Sequence, residues 1–184
     1  MEVYLIRHTT PNIAKGFIYG KRLDVDVTDT FHQEVDEIFR KIPTHFDWIY
    51  TSPAKRCTKL AAQLNAPDRL EDERITEMDF GLWEGKRWEE IDDQELDAWM
   101  NNFIHEAPPE GESMKIMSER IISFWQEMVR KDHHRIALVT HAGVIRIVHA
   151  AITQTPLNHA FELKVHYGDV FHVDIETDTF KKIE

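Results

Sequence analysis

Short apolar runs alternate with helix-spaced apolar patterns along this chain, and no other property restricts its fold as much. Val3-Tyr4-Leu5-Ile6, Asp47-Trp48-Ile49-Tyr50 and Arg135-Ile136-Ala137-Leu138-Val139-Thr140 are rich in strand formers. Their apolar residues are consecutive. A strand wetted on one face would alternate, so these strands are expected to be covered on both faces. Between them, Val35, Ile38, Phe39 and Ile42 recur at the spacing of one helical stripe, and Pro43 ends the segment. Ser52 as N-cap and Pro53 at the first helical position begin the next helix, with Ala54, Cys57, Ala61 and Leu64 on one side. Gly111-Glu112-Ser113 opens another, striped by Met117, Ile121, Phe124, Trp125 and Met128, and Val144 to Ile152 reads as a helix buried on most of its surface. Strand followed by helix, repeated, predicts an α/β three-layer sandwich: a mostly parallel central sheet with helices on both faces. Asp169–Ile175 and Thr179–Ile183 are expected to add a closing strand pair around Asp178.

One stretch breaks the alternation. Residues 72–110 combine acids, three of the five tryptophans (Trp83, Trp88 and Trp99) and the Pro108-Pro109 break, and are expected to form a helical lid over one edge of the sheet. The chain is otherwise expected to form a single domain over residues 1–184. At this length folding buries roughly 70 % of the unfolded surface, enough for a core without disulfide or metal. The one cysteine, Cys57, has no internal partner, which fits a reducing, cytoplasmic compartment, and it lies on an apolar stripe as a structural thiol would. No apolar run approaches membrane-spanning length, so no membrane partner is expected.

The formal net charge of −11 argues against nucleic acid as a partner, since such binding rests on neutralising phosphates with Lys and Arg. The charge is uneven. Residues 68–97 hold 13 acids and 4 bases, and the remainder is close to balanced. Any anion is therefore expected to meet the bases outside that stretch. An acidic rim around them suggests an organic portion that is neutral or cationic.

In open parallel sheets ligands bind beyond the carboxyl ends of the strands. Here the first strand ends in Arg7-His8, the second leads into a helix carrying Lys55 and Arg56, and the Arg135–Thr140 strand ends at His141. Taken singly, each has a bland reading: a polar loop start, a solvated helix face, one of 11 histidines. Taken together, two arginines and two histidines from three strand ends can converge on one point. Guanidinium forks and helix N-termini suit phosphate oxygens, and one imidazole can attack phosphorus while the other stabilises the transferring oxygens. The remaining histidines show no spacing with carboxylates that favours a metal site, and no glycine-rich phosphate loop is present.

Five stretches, in order, carry a resemblance. They are Arg7-His8-Thr9-Thr10-Pro11, Thr51 to Cys57, Glu77 to Gly85, Pro109 to Ser113, and Val139 to Arg146. Together they resemble the histidine phosphatase (phosphoglycerate mutase-like) superfamily. The Met78-Asp79-Phe80-Gly81-Leu82-Trp83-Glu84-Gly85 stretch is most similar to the α-ribazole phosphatases of cobalamin nucleotide-loop assembly. The resemblance implies a phosphomonoester hydrolase that needs neither metal nor cofactor. In it, His8 is the nucleophile, Arg7, Arg56 and His141 hold the phosphoryl group, and Glu77 is the general acid and base. It implies a small-molecule phosphomonoester as partner, with α-ribazole 5'-phosphate first and sugar phosphates or other small esters as the alternative. A mutase-type phosphotransferase and a noncatalytic phospho-binding module are weaker alternatives. Glu77 would need to stay protonated near neutrality, and neighbouring acids of the lid are expected to push it that way. Exposed lid aromatics would serve a homodimer or pack the lid.

The sequence also departs from the family pattern. Thr9 and Thr10 stand where the family usually has Gly and Glu, and Val27-Thr28-Asp29 replaces a Pro-Leu-Thr turn. Ala14 occupies a position that is often Asn, with Asn12 two residues earlier. The Thr9–Asp24 loop is thus expected to be built differently, with Asn12 an unassigned candidate for substrate contact.

Overall fold

The computed structural model describes all 184 residues. In chain order the main elements are β1 (Glu2–Arg7), α1 (Phe31–Phe39), β2 (Trp48–Thr51), α2 (Lys55–Ala61), β3 (Arg69–Glu71), α3 (Asp93–Asn102), α4 (Met114–Met128), β4 (Arg135–Thr140), α5 (Ala142–Thr153), β5 (Val170–Asp174) and β6 (Thr179–Ile183). Six strands form one sheet in the order β3-β2-β4-β1-β5-β6. The first four strands are mutually parallel, and β5 and β6 add antiparallel pairings at one side. Asp178, in the turn between β5 and β6, takes the left-handed conformation that Asp tolerates better than most residues.

Burial explains the consecutive apolar residues. In β4, Ile136 and Leu138 pack with α4 and α5 on one face, while Ala137 and Val139 pack with α1 and α2 on the other. The result is a three-layer α/β sandwich, as expected. Two details differ from the sequence reading. The second helix begins at Lys55 with Ala54 as its cap, so Ser52 lies before it, its hydroxyl oxygen accepting from Ala54 N–H (3.4 Å) and capping no helical N–H. The edge strand β3 was not expected: its Arg-Leu-Glu triplet is exposed throughout and held only by backbone pairing to β2, so it has no apolar signature. No helix is long and apolar enough to cross a membrane.

The excursion after β3 is less helical than its composition suggests. It contains three short 3-10 turns, at Glu73–Ile75, Gly81–Trp83 and Trp88–Glu90, followed by α3. Its tryptophans make a small core of their own. Trp83 is buried with Ile18 and Ile91, and its ring lies 5.8 Å from that of Trp99, which in turn lies 6.0 Å from Trp88. The excursion is tied to the segment before α4 by Leu82 N–H donating to the Pro109 carbonyl (2.9 Å) and Glu112 N–H to the Asp79 carbonyl (2.9 Å). Gly81 makes this approach possible. Its φ is +54°, and a Cβ there would stand 2.0 Å from the Pro109 oxygen.

Gly81→Ala is therefore expected to cost at least about 1 kcal/mol through left-handed strain alone, and more through the clash. A lowered urea midpoint and faster proteolysis within residues 80–110 would register it. An unchanged midpoint would mean that the contact between Gly81 and Pro109 is dispensable.

Candidate active site

Strand register assembles the site. Arg7 pairs with Thr140 across β1 and β4, and Thr51 pairs with Val139 across β2 and β4. His8, Ser52 and His141 are therefore the first residues beyond three adjacent parallel strands. The row continues past the strands, with His8 N–H donating to the Thr140 carbonyl and Ser52 N–H to the Val139 carbonyl, both at 3.0 Å. The two imidazole rings end 5.2 Å apart in an edge-to-face arrangement. Arg56 enters from the first turn of α2 and is fully buried, while His8 is only 1 % exposed. The four residues expected at strand ends thus do meet.

Hydrogen bonds fix which imidazole nitrogen is free. His8 Nδ1 lies 2.7 Å from the Thr9 carbonyl oxygen, which can only accept, so Nδ1 carries the proton and Nε2 keeps its lone pair. Arg56 Nη2 can only donate, and it lies 3.4 Å from His141 Nδ1. His141 Nε2 then donates to Ser52 Oγ at 2.7 Å. Burial first, and the adjacent Arg56 second, hold both imidazoles well below their usual pKa, so both are neutral here. Cys57 lies under the same ring, with Sγ 3.6 Å from His141 Nε2, and burial pushes its thiol up to about 12.

The arginines keep unspent donors. Arg56 Nη2 donates to the Gly20 carbonyl (2.9 Å) and Arg7 Nη1 to the Val165 carbonyl (2.6 Å). Arg56 Nε and Nη1 and Arg7 Nε are buried without any acceptor. Two tyrosines from separate loops lie over these cations. Tyr167 covers the Arg7 guanidinium at 4.0 Å, Tyr19 faces that of Arg56 at 5.3 Å, and the two hydroxyls meet at 2.6 Å. Burial and this contact raise the Tyr19 pKa.

Glu77 stands at the start of α5. Its Oε2 accepts from Gly143 N–H (3.3 Å) and its Oε1 from Met78 N–H (3.0 Å). Gly143 leaves room for this approach: a Cβ there would lie 2.3 Å from Glu77 Oε1, and the carboxylate would have to shift. Two cavities meet at Glu77: one of about 240 Å3, shared with Arg7, Tyr19 and Arg146, and one of about 360 Å3, shared with His141, Lys21 and Asp79. The nearby acids are occupied elsewhere. Glu84 accepts four backbone N–H groups, from Gly20, Arg22, Leu23 and Phe80. Asp79 pairs with Arg22 (2.7 Å) and Glu73 with Lys21 (3.7 Å). The Glu77 backbone is anchored in turn: Arg120 donates to the carbonyls of Arg74, Thr76 and Glu77 and pairs with Glu112 at 2.5 Å. Glu77, named in the sequence by its motif alone, is thus set apart from the neighbouring acids by two backbone donors, Met78 N–H and Gly143 N–H, and those acids do not crowd it.

Several neighbours were missed. Ser52, Tyr19, Gly20, Tyr167 and Arg146 all reach the site. Ser52 and Arg146 stood within the quoted motifs, whereas nothing local marks Tyr167. Asn12 is exposed, and its amide N–H is held by the Asp26 carbonyl (2.7 Å), so the loop meets the site through Tyr19 and Gly20. The larger charge pattern also resolves differently. Beside Glu77 the 240 Å3 cavity carries two guanidiniums, Arg7 and Arg146, so its own charges oppose the cationic organic portion that the acid count allowed and leave a neutral one open.

A buried histidine pair flanked by unspent arginine donors, with a carboxylate across a cavity, is a set of groups suited to a phosphoryl group. The family model for the histidine phosphatase superfamily (branch 1) matches residues 3–183, and the chain belongs to that superfamily. It is 26 % identical over 167 residues to phosphoserine phosphatase 1 of Hydrogenobacter thermophilus, covering 86 % of this chain and 79 % of the relative. It is 23 % identical over 183 residues to the adenosylcobalamin/α-ribazole phosphatase of Escherichia coli, covering 95 % and 90 %. The crystal structure of the α-ribazole phosphatase from Shigella flexneri shares the fold, with a TM-score of 0.86 at 22 % identity over 100 % of this chain and 95 % of that one.

The depressed histidines set a pH dependence of stability. An unfolded chain takes up protons on these imidazoles as pH falls through about 6.5, while the folded chain does not. Their contribution is therefore complete above that pH and is lost below it, by up to about 1.4 kcal/mol per pH unit for each histidine. Urea midpoints measured from pH 7.5 to 5 should fall, and His141→Gln should flatten that fall. An equal slope in the variant would overturn the assignment.

Proposed function

We propose that this chain hydrolyses phosphomonoesters through a phosphohistidine on His8, without a metal ion or cofactor. The observation that carries the reading is the free Nε2 of His8 in a buried centre where the charges of Arg56 and Arg7 act on it and three of their N–H groups have no partner. A buried donor left unpaired costs about 1–3 kcal/mol, and a phosphoryl group offers three acceptor oxygens to these cations.

In the first step His8 Nε2 attacks phosphorus, and the bond from phosphorus to the ester oxygen breaks as Glu77 delivers a proton to that oxygen. Arg7, Arg56 and His141 carry the charge on the transferring oxygens. In the second step water attacks the phosphohistidine while Glu77 takes its proton. The P–N bond breaks, and inorganic phosphate and His8 are regenerated. Ser52 keeps the His141 ring in orientation through the bond at Nε2.

The first-choice substrate is α-ribazole 5'-phosphate, with sugar phosphates or other small phosphomonoesters as the alternative. The α-ribazole choice is supported by the likeness of the Met78–Gly85 stretch, by the Escherichia coli relative, and by the aromatic walls of the cavity beside Glu77, where Phe17, Phe80 and Trp88 suit a planar base.

His8→Ala is expected to abolish turnover of 4-nitrophenyl phosphate while leaving the circular dichroism of the fold unchanged. Retained turnover would rule out His8 as nucleophile. Incubation with a chelator should leave the wild-type rate intact, and strong inhibition would reinstate a metal.

A further inference from the structure

Hydrolysis as proposed leaves one cation of the pocket without a task. Arg146 lies on α5 almost one turn beyond Gly143 and lines the same cavity as Glu77. Its surroundings there are largely apolar, including Phe17, Phe80, Trp88 and Met117. Its Nε donates to the Leu163 carbonyl at 3.1 Å, and its guanidinium rests over the Phe161 ring at 5.2 Å. That is its one hydrogen bond to protein, and no carboxylate lies within 4.0 Å of it. Burial depresses its pKa, and its interaction with Glu77 across the cavity opposes that shift.

The bond to Leu163 and the stacking on Phe161 would suffice for a strut holding α5 to the segment after it. A lysine stem or a methionine could do the packing part of that work. The half-buried Arg146 guanidinium instead presents its planar fork of N–H groups to whatever fills the cavity. Here Nε alone is matched to protein.

We infer that Arg146 is a specificity residue: its terminal N–H pair receives an acceptor group on the organic portion of the ester, opposite the phosphate. The inference rests on the hydrolase reading. It narrows the substrate class to phosphomonoesters carrying both an apolar body and an acceptor. That acceptor is either anionic, such as a carboxylate, or neutral, such as a ring nitrogen or hydroxyl oxygen. Plain aryl phosphates satisfy Arg7 and Arg56 but leave Arg146 unmatched. A ligand that fills the cavity and displaces water from this fork without pairing it is discriminated against.

The test compares kcat/KM for three esters in the wild type, Arg146→Met and Arg146→Lys. O-phosphoserine presents a carboxylate, α-ribazole 5'-phosphate presents neutral acceptors, and phenyl phosphate presents neither. In Arg146→Met the ratio of at least one acceptor-bearing ester to phenyl phosphate should fall tenfold or more, and the ester that falls identifies the acceptor. Arg146→Lys keeps the charge without the fork. Its ratio should lie between wild type and Arg146→Met, and it serves as the test if the methionine variant does not fold. A parallel loss on all three esters would make Arg146 a strut, and unchanged ratios would remove it from recognition; either overturns the inference. His8→Ala assayed on phenyl phosphate reports separately on the hydrolase reading, and turnover retained there would overturn that reading whatever the ratios do.

Discussion

The parallel pairing of β1, β4 and β2 is the constraint on which the rest of the molecule depends. Backbone hydrogen bonds lock the three strands so that they stop on one line, and the first residue past each stop is His8, His141 or Ser52. A slip of one residue in any strand would turn its apolar side chains to the wrong face and carry its functional residue away from the others. The two hydrophobic layers thus do more than stabilise the sheet. They define the register that places two imidazoles 5.2 Å apart.

Such a centre needs separate support, because charged groups resist burial. The imidazoles respond by staying neutral. The arginines have no such option, and their positions are held by carbonyls of Gly20 and Val165 and by the faces of Tyr19 and Tyr167. Neither Arg7 nor Arg56 forms an ion pair with a carboxylate. A salt bridge would have quenched the field that an anion needs, whereas carbonyl and ring contacts leave the positive charge in place. Glu77 is treated in the complementary way, on backbone donors at the start of α5, and Arg120 with Glu112 fastens the segment that carries it.

Much of the framework was legible in the sequence. Consecutive apolar residues signal a sheet covered twice, and the covering helices have clean stripes, so the layers and the strand ends could be read. Arg7, His8, Arg56 and His141 were legible as a group because they sit where such sheets present ligands. β3 was not, since an exposed three-residue strand owes its shape to its neighbour. Ser52 was misread as a helix cap because its hydroxyl serves His141, a residue 89 positions away. Tyr19, Tyr167 and the donors around Glu77 were illegible for the same reason. Their roles arise from contacts between loops, and local patterns carry no record of those. The tryptophans of residues 72–110 left packing and a dimer contact both open, and nothing local foretold a backbone of 3-10 turns tied down by Gly81.

Cys57 gives the site a built-in observer. Its thiol lies against His141 and donates toward the Thr140 carbonyl, so it is sealed in by the same packing that holds the imidazole. With its pKa pushed to about 12, almost no thiolate exists at neutral pH, and the thiolate is the form that reacts. Alkylation of this single sulfur is therefore governed by how often the layer between α2 and β4 comes apart, and its rate reads out the opening of the centre directly.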